Sequence, residues 1–273
     1  MKYYRIDVIT NSKEKPSFFI GSALRGAFGY ALEEVACKST PCKCVEKPAN
    51  DRCLYYHLYK SDEMKPFRID TELPARAYDF SLYFFSKDEK VSDIETILSA
   101  LKSMMVKRGI GKGCTKNAST DCLKFPKSTY SIVTIDPQIN ALNINLATKL
   151  KLHIKTPCIL INPSKERIRD IHIEEILSSI YKRKSFFVDG EAHATLPFKP
   201  KYKLVSKKIN AEVKVSRESL DQNKQIVLEG TSGVIELRDL DKKSYELLKL
   251  GEVLGVGSQT VRGLGKITIE SIF

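Results

Sequence analysis

Four cysteines crowd into 17 residues: Cys37, Cys42, Cys44 and Cys53, spaced C-x4-C-x-C-x8-C. Four thiolates can bind a soft cation tetrahedrally, at an S–Zn distance of about 2.3 Å. The spacing is not a pair of C-x2-C knuckles. Zinc therefore competes with an iron–sulfur cluster, with disulfides and with inert buried thiols. No open-site set of histidine and carboxylate accompanies the cysteines, so a metal here would be structural and not catalytic. The chain holds seven cysteines, and its opening MKYYRIDVIT lacks the apolar stretch of an export signal. Both facts argue for thiols or a metal over a disulfide scaffold. Cys114, Cys122 and Cys158 read as packing residues.

A second constellation closes the chain. LKLGEVLGVGSQTVRGLGKITIESIF carries Gly251, Gly255, Gly257, Gly263 and Gly265 within 15 residues, with Arg262 and Lys266 among them. Glycine permits positive φ and lets a phosphate approach backbone N–H groups. The loop lacks the G-K-[ST] ending of a P-loop, and no helix follows it. Nucleotide hydrolysis is not expected. A grip on a nucleic-acid backbone is, with a ligand-free glycine-rich hairpin as the plain alternative.

The charge agrees in sign. There are 45 Lys+Arg against 33 Asp+Glu, a formal net charge of +12 and a pI near 9.2. Such a field favours polyanionic partners, although a Lys-rich solvated surface would also produce it. From Lys199 to Arg217 seven residues are basic (Lys199, Lys201, Lys203, Lys207, Lys208, Lys214, Arg217) and only Glu212 is acidic. Several alternate, which on a strand aligns them on one face.

These groups need elements to position them. Residues 3–10 read as a strand. Leu24, Phe28, Ala31, Leu32 and Val35 recur at helical spacing, with Ser22 as the expected N-cap. Gly26 and Gly29 cost that helix about 1 kcal/mol each against alanine, which implies close approach by another backbone or a ligand. Tyr78, Phe80, Leu82 and Phe84 alternate as a half-buried strand. VSDIETILSALKSMMVKRG is an amphipathic helix that ends in RGIGKG, and STYSIVTI a strand. The order then restarts. KLKLHIKTPCILI is strand-like, RIRDIHIEEILSSIYKRKSFF helical, and KKINAEVKVS with KQIVLEGTSGVIELRDL a long hairpin. KSYELLKLGEVLG is helical and GKITIESIF a final strand.

A repeated split βαβ unit is the ferredoxin-like fold. The reading is therefore α+β: two tandem ferredoxin-like (RRM-like) domains, 1–140 with a Cys-rich insertion at 37–62, and 149–273 with the glycine-rich loop. No run of about 18 apolar residues is present, so no membrane helix is expected, and the chain reads as cytoplasmic.

GEVLGVGSQTVRGLGKITI resembles the C-terminal glycine-rich loop of CRISPR-associated RAMP proteins, above all of the family that processes precursor CRISPR RNA. IGSALRGAFGYALEEVAC resembles that family's first helix, CKCVEKPANDRCLYYHLYKS its Cys-containing segment and MMVKRGIGKG its first-domain glycine turn. VKVSRES and EGTSGVIEL resemble the hairpin of its second domain. The likeness runs in order along nearly the whole chain. It implies RNA held in a cleft between two ferredoxin-like domains, with the glycine loop at its edge. It also implies metal-independent cleavage within the CRISPR repeat, by attack of a ribose 2′-OH on the adjacent phosphate. The products would end in a 2′,3′-cyclic phosphate and a 5′-OH. The alternative is a non-catalytic RAMP subunit that binds guide RNA among the other subunits of an effector complex.

That chemistry needs a base, an acid and a cation, and no cofactor. Members of the resembling family often carry a histidine on or near the first helix. Tyr30 stands here in the FGY position where some relatives have histidine, and His57 is the nearest histidine in sequence. His57 and Tyr30 are the proton-transfer candidates, and Arg25 and Lys60 the candidate cations. His153 and His172 fall in strand and helix patterns and read as structural, while His193 is an outside candidate in a loop. RNA contacts are expected from Lys208, Lys214, Arg217, Arg262 and Lys266, and from the backbone at Gly255, Gly257, Gly263 and Gly265.

Overall fold

The computed structural model describes residues 3–38, 41–85, 91–111, 122–135, 149–162, 164–191, 194–219 and 224–272. The first unit comprises β1 (Tyr3–Ile9), α1 (Gly21–Ala36), β2 (Phe67–Asp70), β3 (Phe80–Phe85), α2 (Val91–Ser103) and β4 (Thr129–Ile135). The second comprises β5 (Lys149–Cys158), α3 (Ile173–Val188), β6 (Lys203–Ser219), β7 (Lys224–Arg238), α4 (Lys242–Leu254) and β8 (Ile267–Ile272). Each folds a four-stranded sheet, in the orders β2-β3-β1-β4 and β6-β7-β5-β8. All pairings are antiparallel. That order is the ferredoxin-like one, occurring twice. The junction expected at 138–148 lies outside the described residues.

Strand alternation divides each sheet between two environments. Ile6 and Val8 of β1 face α1 and α2, where Leu24, Phe28, Ile97 and Leu101 bury against them. The opposite face of the first sheet is not left bare. Tyr3, Tyr83 and Phe85 join the second unit's core beside Ile180 and Phe187. The Phe85 and Phe187 rings stack at 5.0 Å. Toward the other end of that face Arg5 and Ile9 are solvent-accessible. The interval between the two units is therefore packed shut at one end.

The strand β2 has no counterpart in the expected elements. It is four residues long, and its Arg68 is only 1% exposed. Arg68 Nη1 donates to the carbonyls of Glu252 and Val253, both at 2.7 Å, and Nη2 to Asp70 Oδ2 at 3.1 Å. From α3, Arg183 Nε donates to the Leu254 carbonyl at 2.9 Å. Burial and the neighbouring Arg68 push the Arg183 guanidinium down to about 9. Two cations at the carbonyl end of α4 complement its dipole and its orphan acceptors.

Three other expectations change. The N-cap of α1 is Ile20 without a side-chain cap, and Ser22 lies inside the helix. Gly21 has to occupy the first turn, because a Cβ there would stand 1.9 Å from the Arg262 carbonyl oxygen. Tyr78 precedes β3 and packs on Phe125 at 5.0 Å instead of extending the strand. Cys122, expected to be a simple packing thiol, is disulfide-bonded, and Cys114, read the same way, lies outside the described residues. No helix among the described residues is long and apolar enough to cross a membrane.

Candidate functional site

One stripe of α1 runs from the glycine loop to the thiols. Gly21 meets the Arg262 backbone at its start. Ser22, Arg25, Gly26, Gly29 and Glu33 follow at three- and four-residue spacing, which keeps them on adjoining lines of the helix surface. Arg25 lies over the Tyr59 ring, 4.9 Å from its centroid, and Tyr59 Oη donates to the Arg25 carbonyl at 2.7 Å. Gly29 makes room for that ring, since a Cβ there would come within 2.6 Å of it. Burial pushes the Tyr59 hydroxyl up, and the nearby charges of Arg25 and Arg262 pull it back.

Gly26 is different: nothing stands within 4 Å of where its Cβ would be. At 100° per residue it falls between Arg25 on one side and Tyr30 on the other. Beside this opening Ser22 Oγ and Arg25 Nε are buried without a hydrogen-bond partner among the described residues. The opening thus carries a hydroxyl, a cation and a phenol on its rim and empty helix surface at its centre.

The glycine loop is built by backbone conformation. Gly255, Gly257, Gly263 and Gly265 all have positive φ, between 72° and 81°, and Gln259 adopts the left-handed region too. Much of the loop's hydrogen bonding is internal to the fold. Val256 N–H donates to the Gly265 carbonyl, Ser258 N–H to Ile159, Gly265 N–H to Pro157 and Gly257 N–H to Ser179 Oγ. Arg262 Nη1 donates to Gln259 Oε1 at 2.6 Å. Lys266 Nζ pairs with Asp70 Oδ1 at 2.7 Å, across the two units. The loop therefore clamps α1 and β2 to the second unit, whatever else it holds.

The remaining candidates are dispersed. His57 and Lys60 lie on a π-helical turn, Tyr56–Lys60, and both are exposed. The His57 ring stands edge-on to Tyr56 at 5.8 Å, and Lys60 Nζ sits over Tyr55 at 5.9 Å. Two positions separate His57 from Tyr59, which turns His57 toward the opposite side of the turn from Arg25. Tyr30 lies beneath the Arg108 guanidinium at 5.9 Å, and that guanidinium also pairs with Glu34. Tyr59 is the residue that sequence reasoning missed. Its role is a tertiary contact, and no local spacing announces it.

On β6 the basic residues do not share one face. The register advances three residues from Asn210 to Val213 against two from Ser232 to Gly230, so one extra residue intervenes. This bulge turns Lys208, opposite Val234, and Lys214, opposite Glu229, toward opposite sides of the ladder. Lys203 pairs with Asp239 at 2.8 Å and Lys207 with Asp170. Lys208 and Lys214 are exposed, and the side chain of Arg217 and all of His193 lie outside the described residues. Past the sheet, the β6–β7 ribbon leans back on the first unit, with Val215 seated between Phe19 and Leu264.

The four cysteines of the insertion converge, and each offers one sulfur, all within 4.8 Å of one another. Cys37 follows α1 directly, Cys44 opens a short turn, and Cys53 precedes the turn that carries Tyr59. The buried Glu33 carboxylate accepts from Cys42 N–H at 2.9 Å and fixes the loop to α1. Burial holds the Cys37 thiol well up and raises Cys53 to about 11, while Cys44 is lowered by a backbone hydrogen bond at Cys53. A donor set of four converging sulfurs fits a thiophilic metal bound as a structural site.

Comparison with known proteins divides the chain in the same way. Residues 1–128 match the model of an N-terminal domain, AF_1859_N, and residues 152–267 that of the CRISPR-associated endoribonuclease Cas6. No curated protein matches the chain. Among solved structures, a Cas6 product complex is similar at 13% identity, covering 99% of this chain and 100% of that one, with a TM-score of 0.56. A Cas6 substrate mimic complex follows at 13% identity, 99% and 100% coverage and a TM-score of 0.54. Cas6 of Thermus thermophilus follows at 12% identity, 98% and 98% coverage and a TM-score of 0.53. Residues 152–267 thus match the Cas6 family model, and over the chain as a whole the likeness to Cas6 structures is one of fold.

Proposed function

We propose that the chain cuts precursor CRISPR RNA within the repeat, by attack of a ribose 2′-OH on the adjacent phosphate. The attacking oxygen belongs to the substrate, so the protein has to supply proton transfer and charge stabilisation. The observation that carries the reading is the bare Gly26 surface on α1, rimmed by Ser22, Arg25 and Tyr30 beside Arg262, in a chain whose residues 152–267 match the Cas6 model. Arg25 and Arg262 take the phosphate charge. Proton transfer falls to Tyr30 or to His57, and Lys60 assists as a cation at the rim. Lys208, Lys214, Arg217 and Lys266 extend the grip, with Lys208 and Lys214 meeting the RNA from opposite sides of β6. The N–H groups of Gly255, Gly257, Gly263 and Gly265 all donate within the fold, so these glycines shape the loop and do not themselves bind the backbone. The products end in a 2′,3′-cyclic phosphate and a 5′-OH.

The test uses repeat RNA in EDTA under single-turnover conditions. Products with cyclic-phosphate ends are expected. A single 2′-deoxy substitution at the cut should abolish cleavage and leave binding intact; unchanged cleavage would refute the mechanism. Separate Tyr30→Phe and His57→Ala variants assign the proton-transfer role: a loss of about 10²-fold marks the residue that performs it.

One observation favours a second reading, in which the chain holds guide RNA in an effector complex without cutting it. Among the described residues no histidine contacts Arg25 or the Gly26 opening, and His57 faces Tyr56. Tight binding of repeat RNA that stays whole in the same assay is the outcome this reading expects.

A further inference from the structure

The four sulfurs fit one ion. Around a tetrahedral centre with metal–sulfur bonds of about 2.3 Å, neighbouring sulfurs stand about 3.8 Å apart. Cys42 Sγ and Cys53 Sγ are 3.7 Å apart, Cys37 Sγ and Cys53 Sγ 3.0 Å, and no pair among the four exceeds 4.8 Å. A cluster of several irons bridged by sulfide needs its outer thiolates spread more widely. Nor are these cysteines joined in pairs, since all four are free.

What the thiols hold together matters more than their number. Cys37 ends α1, and Cys53 begins the segment whose sixth residue onward is Tyr59. Cys53 accepts His57 N–H through its carbonyl at 3.3 Å, so the turn starts at the thiol. Tyr55 and Tyr59 stack at 5.3 Å, Tyr59 stacks on Phe67 at 5.6 Å, and Arg25 lies over Tyr59. A centre bonded to both the end of α1 and the start of this turn closes a ring, and the Tyr59–Arg25 contact lies on its far side.

We propose that Cys37, Cys42, Cys44 and Cys53 bind one tetrahedral ion of the Zn²⁺ class, and that this ion holds the Tyr55–Tyr59 turn so that Tyr59 positions Arg25 for an RNA phosphate. The second half rests on the function proposed above. Each thiol that ligates the ion releases its proton. Tyr59 is a positioning residue, acting on the RNA only through Arg25.

The full chain is purified and its metal and acid-labile sulfide are measured. One ion per chain without sulfide is expected; sulfide, or a chain that takes up no Zn²⁺, overturns the first half. Removal of the ion by a chelator should change the near-ultraviolet dichroism of tyrosine, which is readable because the chain has 12 tyrosines and no tryptophan. Binding of repeat RNA is then titrated with salt for the metal-loaded chain, the stripped chain, Tyr59→Ala and Arg25→Ala. The last three should each lose about tenfold in affinity and about one unit of salt slope, as for one lost phosphate contact. Arg25→Ala in the stripped chain should lose nothing further. Full affinity in the stripped chain and in Tyr59→Ala, or an independent effect of Arg25→Ala, overturns the coupling. If chelation unfolds the chain by far-ultraviolet dichroism, Tyr59→Ala decides, because it keeps the thiols. If the metal-loaded chain binds no RNA, the proposed function fails, while the ion count and tyrosine signal still decide the centre and its turn.

Discussion

At the scale of residues, several side chains carry more than their type suggests. Arginine usually reads as surface, yet Arg68 is buried and holds the end of α4, so no sequence pattern could mark it as a core residue. The cysteines were legible because metal ligands recur at short spacing. Tyr59 was not, because its partner Arg25 is 34 positions away. Asp241 allows a pH test. It is the N-cap of α4 and accepts from Ser244 N–H at 3.0 Å, and Lys201 N–H donates to its second oxygen at 2.8 Å. Burial opposes its charge, but these donors win and hold it below the ordinary 3.8. A carboxyl depressed in the fold contributes stability above its ordinary value and loses it as pH falls through the folded value. Asp241→Asn keeps a good cap without titrating. Urea unfolding at neutral pH and near pH 3 should show the native chain losing more stability than the variant; equal losses would contradict the assignment.

At the scale of elements, apolar periodicity found what it could find. α2, α3, α4 and the long hairpin were legible because each buries a face long enough to repeat. The strand β2 was not, being four residues with an arginine inside it. The bulge in β6 escaped because one additional residue leaves no compositional trace, and with it went the expected single basic face. Gly26 and Gly29 of α1 were noticed and Gly21 was not, and only coordinates separate their reasons. Gly21 and Gly29 are crowded by neighbours, and Gly26 faces open space. Gly26→Ala should therefore stabilise the free chain by about 1 kcal/mol through helix propensity. If RNA uses that surface, the same change should weaken repeat-RNA binding by about tenfold. Thermal unfolding and a binding titration on one preparation check both. A more stable variant with undiminished binding would remove this stripe of α1 from the RNA contact.

At the scale of the whole molecule, the two units are not independent beads. Tyr3, Tyr83 and Phe85 contribute to the second core, Arg68 bonds across the boundary, and Lys266 pairs with Asp70. A single cooperative unfolding transition is expected in calorimetry in place of two. Arg68→Ala should cost about 3 kcal/mol, because it strips a buried charge network of one partner; two resolved transitions in the native chain would contradict the shared core. The twofold repeat was readable from element order alone. The closure between the units was not, because it depends on which face of each sheet meets the other.

The extra residue between Asn210 and Val213 also limits how this arm can vary. With one of Ala211 and Glu212 removed, the pairing would become one-to-one. Lys214 would still face Glu229 and Val215 Leu228, so Val215 would keep its seat by Phe19 and Leu264. Beyond Val213 there is no such slack: a single deletion there would carry every later side chain of β6 to the other face of the ladder. The bulge is thus the one place in this arm that tolerates the loss of a residue without a change of face.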